Sequence, residues 1–184
     1  VVSATDVRAN TKEQVESLGG KFIMIEDEET KQSETSGGYA KEMSEEYKKK
    51  QSKLIAETIA NQDIVICTAL IPGKKAPTLI SKEMVESMAP GSVVIDLAVE
   101  SGGNCPLSKI GEIVYHNNVK IVGYANVPGR VAKDSSALYA KNIFNFMSLL
   151  VNKDTKKIFF DLDDEILNSV LLTHQGNLRL DKFN

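Results

Sequence analysis

Most residues of this chain that can do chemistry stand directly behind an apolar run. Asp6 follows Val1-Val2-Ser3-Ala4-Thr5 and precedes a helical pattern. A carboxylate at the end of a strand can accept hydrogen bonds from the hydroxyls of an adenosine ribose, and its charge repels a further phosphate there. The same Asp can equally sit in a turn and cap the helix behind it. Arg8 pulls the other way, because a nearby guanidinium can accommodate a 2′-phosphate. Thr68-Ala69-Leu70 follows Ile64-Val65-Ile66-Cys67. Glu100-Ser101-Gly102-Gly103-Asn104-Cys105-Pro106 follows a run ending at Ala98. Its paired glycines allow the backbone to approach a ligand closely, and Glu100 is either an acid–base group or a solvated carboxylate. Asn126-Val127-Pro128-Gly129 is a tight polar turn behind residues 119–122. Gly37-Gly38-Tyr39 closes an acidic, polar stretch. Such glycines let a lid change its backbone angles and Tyr39 can cover a bound molecule, although a linker whose Tyr39 opens the next helix is the simpler reading.

Other chemistries find no support. His116 and His174 lie in unrelated polar contexts, and no His/Cys cluster has metal-ligand spacing, so no metal site is expected. No serine stands in G-x-S-x-G. Cys67 reads as a strand-core residue. Cys105 reads as the more exposed thiol, without the basic partner that a nucleophile needs. No catalytic residue is therefore assigned.

The elements that position these residues alternate between strand and helix. Residues 1–4, 22–25, 64–68, 93–96 and 119–122 have strand character, and residues 11–18, 42–60, 81–88 and 135–150 have helical character. Gly19-Gly20 closes the first helix and Ser81 caps the third. In the second, Tyr47, Leu54, Ile55 and Ile59 fall at helical spacing, with Lys48-Lys49-Lys50 on the wet side. Near-continuous apolar strands separated by helices predict a parallel sheet with both faces covered. In such a sheet ligands bind outside the carboxyl ends of the strands, where the residues above fall. Residues 158–162, an acidic helical piece at 163–168, residues 170–173 and a Gln175-Gly176 turn read as a separate element. The expected division is therefore residues 1–150 and residues 151–184, the second packing with another subdomain or a partner chain.

Composition excludes several classes. The chain has 184 residues, 42% apolar and 26% charged, so neither disorder nor a fibrous repeat is expected. Its 22 basic and 25 acidic residues leave a net charge of −3, without the basic footprint of a nucleic-acid binder. The apolar runs fall far short of the roughly 20 residues that span a bilayer. Two cysteines suit a reducing compartment.

Several runs together resemble a known family. They are Val2-Ser3-Ala4-Thr5-Asp6-Val7-Arg8, Gly37-Gly38-Tyr39-Ala40-Lys41-Glu42-Met43, Thr68-Ala69-Leu70-Ile71-Pro72-Gly73, Gly102-Gly103-Asn104-Cys105-Pro106-Leu107 and Asn126-Val127-Pro128-Gly129-Arg130. In this order they resemble the NAD(H)-binding domain of proton-translocating NAD(P) transhydrogenase, a relative of alanine dehydrogenase. The resemblance implies an α/β fold with a Rossmann-like, doubly wound parallel sheet and a C-terminal segment belonging to a second Rossmann-like subdomain. It implies NAD(H) in the cleft between subdomains of a homodimer, and NADP(H) on a separate domain. Hydride would pass from NADH to NADP⁺, coupled to proton movement through a membrane domain, with the NAD(H)-binding domain peripheral to the membrane on the cytoplasmic or matrix face.

By the same resemblance, Asp6, with Val7 and Arg8, holds the adenosine ribose. A loop over residues 26–44 brings Gly38 and Tyr39 onto the nucleotide. Thr68, Ala69 and Leu70 line the pocket, and Asn126 lies near the nicotinamide end. The family's first strand and glycine-rich G-x-G-x-x-G loop are not among these residues. The expectation is thus a portion of a larger enzyme, inactive alone. Two other readings stay open: an alanine-dehydrogenase-like soluble NAD-dependent oxidoreductase with Glu100 near the chemistry, and a non-catalytic dimer scaffold.

Overall fold

The computed structural model describes residues 1–8, 10–25, 44–71 and 73–179. The chain forms two compact units, Val1–Val127 and Pro128–Asn184.

In the first unit, β1 (Ser3–Ala4) pairs in parallel with β2 (Lys21–Phe22), joined by α1 (Thr11–Ser17). Gly19, at φ 81°, turns the chain out of α1 in the left-handed conformation that glycine adopts without strain. After α2 (Glu45–Ile59) come β3 (Ile64–Cys67), α3 (Lys82–Glu86), β4 (Val93–Asp96), β5 (Ile113–His116) and β6 (Val119–Val122). These strands form a four-stranded sheet in the order β3-β4-β6-β5. β3, β4 and β6 run parallel, in the register Cys67↔Asp96 and Ile95↔Val122. Ser44 and Ser81 cap α2 and α3 by accepting the backbone N–H groups of Tyr47 and Met84.

Strand alternation sorts the side chains. Val65, Val94 and Ile121 are register partners on one face, where α2 contributes Ile59 and α3 contributes Met84 and Val85, with Met88 just beyond it, to a closed apolar core. Tyr47 is buried and Lys48-Lys49-Lys50 exposed, as the helical period predicts. On the opposite face Val93, Ile95 and Val122 are half-buried, and the edge strand β3 leaves Ile64 and Ile66 62% and 59% exposed. Among the described residues, β3 has a strand partner on one edge alone, and β1 pairs with β2 alone.

The hairpin of β5 and β6 is antiparallel, a departure from the all-parallel expectation. Asn117 and Asn118 form its two-residue turn at φ 48° and 62°, the backbone that suits the twist of paired strands. Gly123 follows β6 where a Cβ would run into the carbonyl oxygen of Lys109, so only glycine fits that approach.

Toward the second unit, the short α4 (Val127–Arg130) leads into α5 (Ala132–Leu149), which starts about one turn earlier than the sequence pattern suggests. α6 (Glu165–Val170) is capped by Asp164, and β7 (Thr173–His174) turns through Gln175-Gly176 into β8 (Asn177–Leu178). Leu150 and Leu167 are buried, whereas Leu138, Tyr139, Ile143, Phe144 and Met147 leave an apolar face of α5 exposed.

Candidate functional site

Because β3, β4 and β6 are parallel and in register, their carboxyl ends reach one edge together. Thr68-Ala69-Leu70, residues 97–104 and residues 123–126 all emerge there. Hydrogen bonds tie the three loops to one another. The N–H of Leu97 donates to the Cys67 carbonyl at 3.0 Å. The Asn104 side chain holds both backbone groups of Ala69. Glu100 Oε2 accepts the N–H of Asn126 at 2.9 Å, and Asn126 takes a left-handed φ of 48° that asparagine tolerates. Thr68 and Ala69, Leu70 and Asn126 thus share one edge, where Thr68 and Leu70 are exposed and Ala69 is half-buried.

Asp6 lies at the end of β1, held by Arg8 in a forked pair. Its Oδ1 accepts Arg8 Nε and the Arg8 backbone N–H, each at 2.9 Å, and its Oδ2 accepts an Arg8 terminal nitrogen at 2.7 Å. Partial burial acts to raise the carboxyl's pKa, but the hydrogen bonds and charge of Arg8 together outweigh it and hold Asp6 below its usual value. The Asp6 side chain keeps 29% of its surface open. A carboxylate oxygen can accept more than one bond, so capacity for hydroxyl donors remains at Oδ2. Val7, between the two, is half-buried. Gly38 and Tyr39 lie outside the described residues.

The second glycine of the pair after β4 has a role inside the fold. Gly103, at φ 78°, lets the chain wrap around the fully buried Asp96: a Cβ there would stand 2.8 Å from Asp96 Oδ2 and 2.9 Å from Ser108 Oγ. Asp96 Oδ1 accepts the N–H of Ala98, and Oδ2 accepts those of Asn104 and Cys105 and the hydroxyl of Ser108. The carboxylate thereby replaces the backbone partners that an irregular buried loop lacks.

Cys105, expected to be the more exposed thiol, is 1% exposed inside this wrap. Burial pushes its pKa up. Burial, then the charge of Asp96 and the nearness of Cys105, push the Cys67 thiol up to about 12. Both cysteines are packing residues. Among the described residues no group of His, Cys, Asp and Glu could hold a metal ion.

One strong organising residue carries no signal of its role in the sequence, and it is Asn104. Its contacts with Ala69 span 35 residues, and no local pattern announces them.

A parallel β3-β4-β6 ladder, the helices α1 and α3 that join β1 to β2 and β3 to β4, and polar loops gathered at the ladder's carboxyl edge define a Rossmann-like α/β protein. The chain belongs to the family described as alanine dehydrogenase/PNT, C-terminal domain, whose model matches residues 1–181. It is 60% identical over 176 residues to the first portion of NAD(P) transhydrogenase subunit alpha of Rhodospirillum rubrum, a match covering 96% of this chain and 46% of that relative. The solved structure of transhydrogenase from Sinorhizobium meliloti matches with a TM-score of 0.73 at 48% identity, over 97% of this chain and 45% of that one. Alanine dehydrogenase of Bacillus subtilis is 34% identical over 131 residues, 67% of this chain and 34% of that relative. The chain thus spans less than half the length of these relatives. Among the described residues no helix is long and apolar enough to cross a membrane.

Proposed function

We propose that the carboxyl edge of the first unit binds NAD(H) within a proton-translocating NAD(P) transhydrogenase. In that enzyme hydride passes from NADH to NADP⁺ on a separate domain. The observation that carries this reading is the forked Asp6–Arg8 pair at the end of a parallel strand. Asp6 offers acceptors to the adenosine ribose, and Arg8 spends its Nε and one terminal nitrogen on Asp6, whose charge offsets its attraction for a 2′-phosphate. The pair therefore favours NAD(H) over NADP(H) at this edge. Thr68, Ala69 and Leu70 line the pocket behind β3. Asn126, held by Glu100, faces the nicotinamide end. Gly38 and Tyr39 keep the covering role that the family resemblance gives them.

Among the described residues β1 and β3 each pair on one edge alone, which supports the rest of the reading. The orders β2-β1 and β3-β4-β6 match the two halves of a 3-2-1-4-5-6 sheet, with the central strand and its phosphate loop supplied from outside these residues. The exposed apolar faces at Ile64 and Ile66 and along α5 are the surfaces that the longer protein and its dimer partner would cover. Residues 151–184 belong with those contacts.

The nucleotides supply the hydride chemistry. This chain's residues bind the ribose, fix the dinucleotide's position and shape the walls of a site from which water is excluded. Greater identity to the transhydrogenase relative than to alanine dehydrogenase favours this reading over an amino-acid oxidoreductase. NADH-dependent reduction of an NADP⁺ analogue by the intact protein in its complex tests it. Alanine-dependent reduction of NAD⁺, without transfer between nucleotides, would overturn it.

A further inference from the structure

We propose that Asn104 is a positioning residue that sets the shape of the Thr68–Leu70 turn before nucleotide arrives. The inference rests on the NAD(H)-binding reading above. β3 ends its ladder at Cys67, yet Ala69 is half-buried and its backbone groups need partners. Asn104 provides both. Its Oδ1 accepts the Ala69 N–H at 3.1 Å, and its Nδ2 donates to the Ala69 carbonyl at 2.9 Å and to the Pro77 carbonyl at 2.7 Å. A side-chain amide thus acts as one more rung of the sheet. Only an amide presents a donor and an acceptor in this arrangement, so aspartate, of nearly the same shape, loses both donated bonds.

Asn104 is itself immobilised. It is fully buried, its own N–H donates to Asp96 Oδ2 at 2.9 Å, and its carbonyl accepts the N–H groups of Leu79 and Ile80 at 2.9 and 3.1 Å. The anchor therefore runs from the end of β4, through Asn104, to the peptide of Ala69. Thr68 and Leu70 flank that peptide and are exposed at the carboxyl edge. Fixing the peptide between them removes the ordering cost that a free turn would add to binding. Asn104 does not touch the nucleotide. It acts through Ala69.

The test uses the intact protein, NADH as the probe and two readouts. In the unaltered protein, hydrogen exchange at the Ala69 amide should already be slow without NADH and change little on its addition. Exchange at the rate of an open loop, slowed only by NADH, would overturn preorganisation by Asn104. Asn104→Asp and Asn104→Ala should speed that exchange and weaken NADH binding about tenfold. Met88→Ala, a core change near the opposite end of β4, serves as a control at a matched fall in Tm and should leave the affinity within about twofold, because additivity holds for remote sites. Equal losses of affinity in the two kinds of variant would reduce Asn104 to a structural residue and overturn the proposal. Should the Asn104 variants fail to fold, the exchange measurement on the unaltered protein still decides. An unaltered protein that binds no NADH refutes the functional reading and the positioning role with it. A protein that binds NADH but exchanges Ala69 freely refutes the positioning role alone.

Discussion

Replacing Asp96 should damage the first unit more than its single carboxylate suggests. In Asp96→Ala the buried N–H groups of Ala98, Asn104 and Cys105 lose their acceptor, whereas Ser108 retains the Cys105 carbonyl as a partner. An orphaned buried donor costs about 1–3 kcal/mol. Three of them amount to about 3–9 kcal/mol, and removing a buried charge offsets some of that sum. A net loss of about 3–5 kcal/mol follows, a large share of the roughly 5–15 kcal/mol typical of a domain. Asp96→Asn keeps one oxygen but turns an NH₂ toward backbone donors, so it should fall between the two. Native-state hydrogen exchange of the β4 and β6 amides, in a urea series on the intact protein, reads the opening free energy of this unit. The order should be unaltered protein, then Asp96→Asn, then Asp96→Ala. An Asp96→Ala protein within about 1 kcal/mol of the unaltered one would behave like a surface variant, and the hub described around Asp96 would be refuted.

Three further outcomes follow from the same structure. Gly123→Ala drives a Cβ against the Lys109 carbonyl oxygen, a backbone atom that cannot swing aside, and should cost about 1–3 kcal/mol, seen as a lower Tm. Asp6 has its pKa held below the ordinary 3.8, so its pairing with Arg8 stabilises the fold above about pH 4 and stops doing so as the pH falls through the lowered value. A stability difference between the unaltered protein and Asp6→Asn should accordingly be constant from about pH 5 to about pH 8, and close below about pH 4. A difference that persists in acid would place Asp6's contribution elsewhere. Cys67 and Cys105 should resist alkylation in the native protein at about pH 8 and react once urea exposes them, because a buried thiol with a raised pKa yields almost no thiolate. Peptide mass spectrometry reads both sites.

Strand ends are legible in the sequence because their apolar runs are short, continuous and closed by polar or small residues. Residues 93–96 and 119–122 form β4 and β6 with those bounds, and Ser81 caps α3 as its place before the helix predicts. β5 is not legible. Only half of Ile113-Val114-Tyr115-His116 meets the core, and its pairing depends on an Asn-Asn turn, a weaker signal than Asn-Gly. The Gly102-Gly103-Asn104-Cys105 run is conspicuous, but its role is not. Glycines permit close approach to anything, and what Gly103 approaches is a carboxylate of its own chain, known only once the loop is folded. Asn104 and Cys105 are hidden for the same reason: their burial and partners come from segments far away in the chain. Asp6, by contrast, is recognisable by place alone, while its fork with Arg8 explains why an acid and a base stand two residues apart.

Under the proposed function, Asp6 receives the ribose of NAD(H) while paired with Arg8. Calorimetric titration of the intact protein with NADH and NADPH, repeated on Asp6→Asn, tests it most directly. A hydrogen bond to a charged group contributes about 1.5–3 kcal/mol, so the unaltered protein should bind NADH roughly 10- to 100-fold more tightly than the variant does, and well above NADPH. In Asp6→Asn the gap between the two nucleotides should narrow. Equal affinities in the unaltered protein, or an Asp6→Asn protein that binds NADH as before, would rule out this role for Asp6.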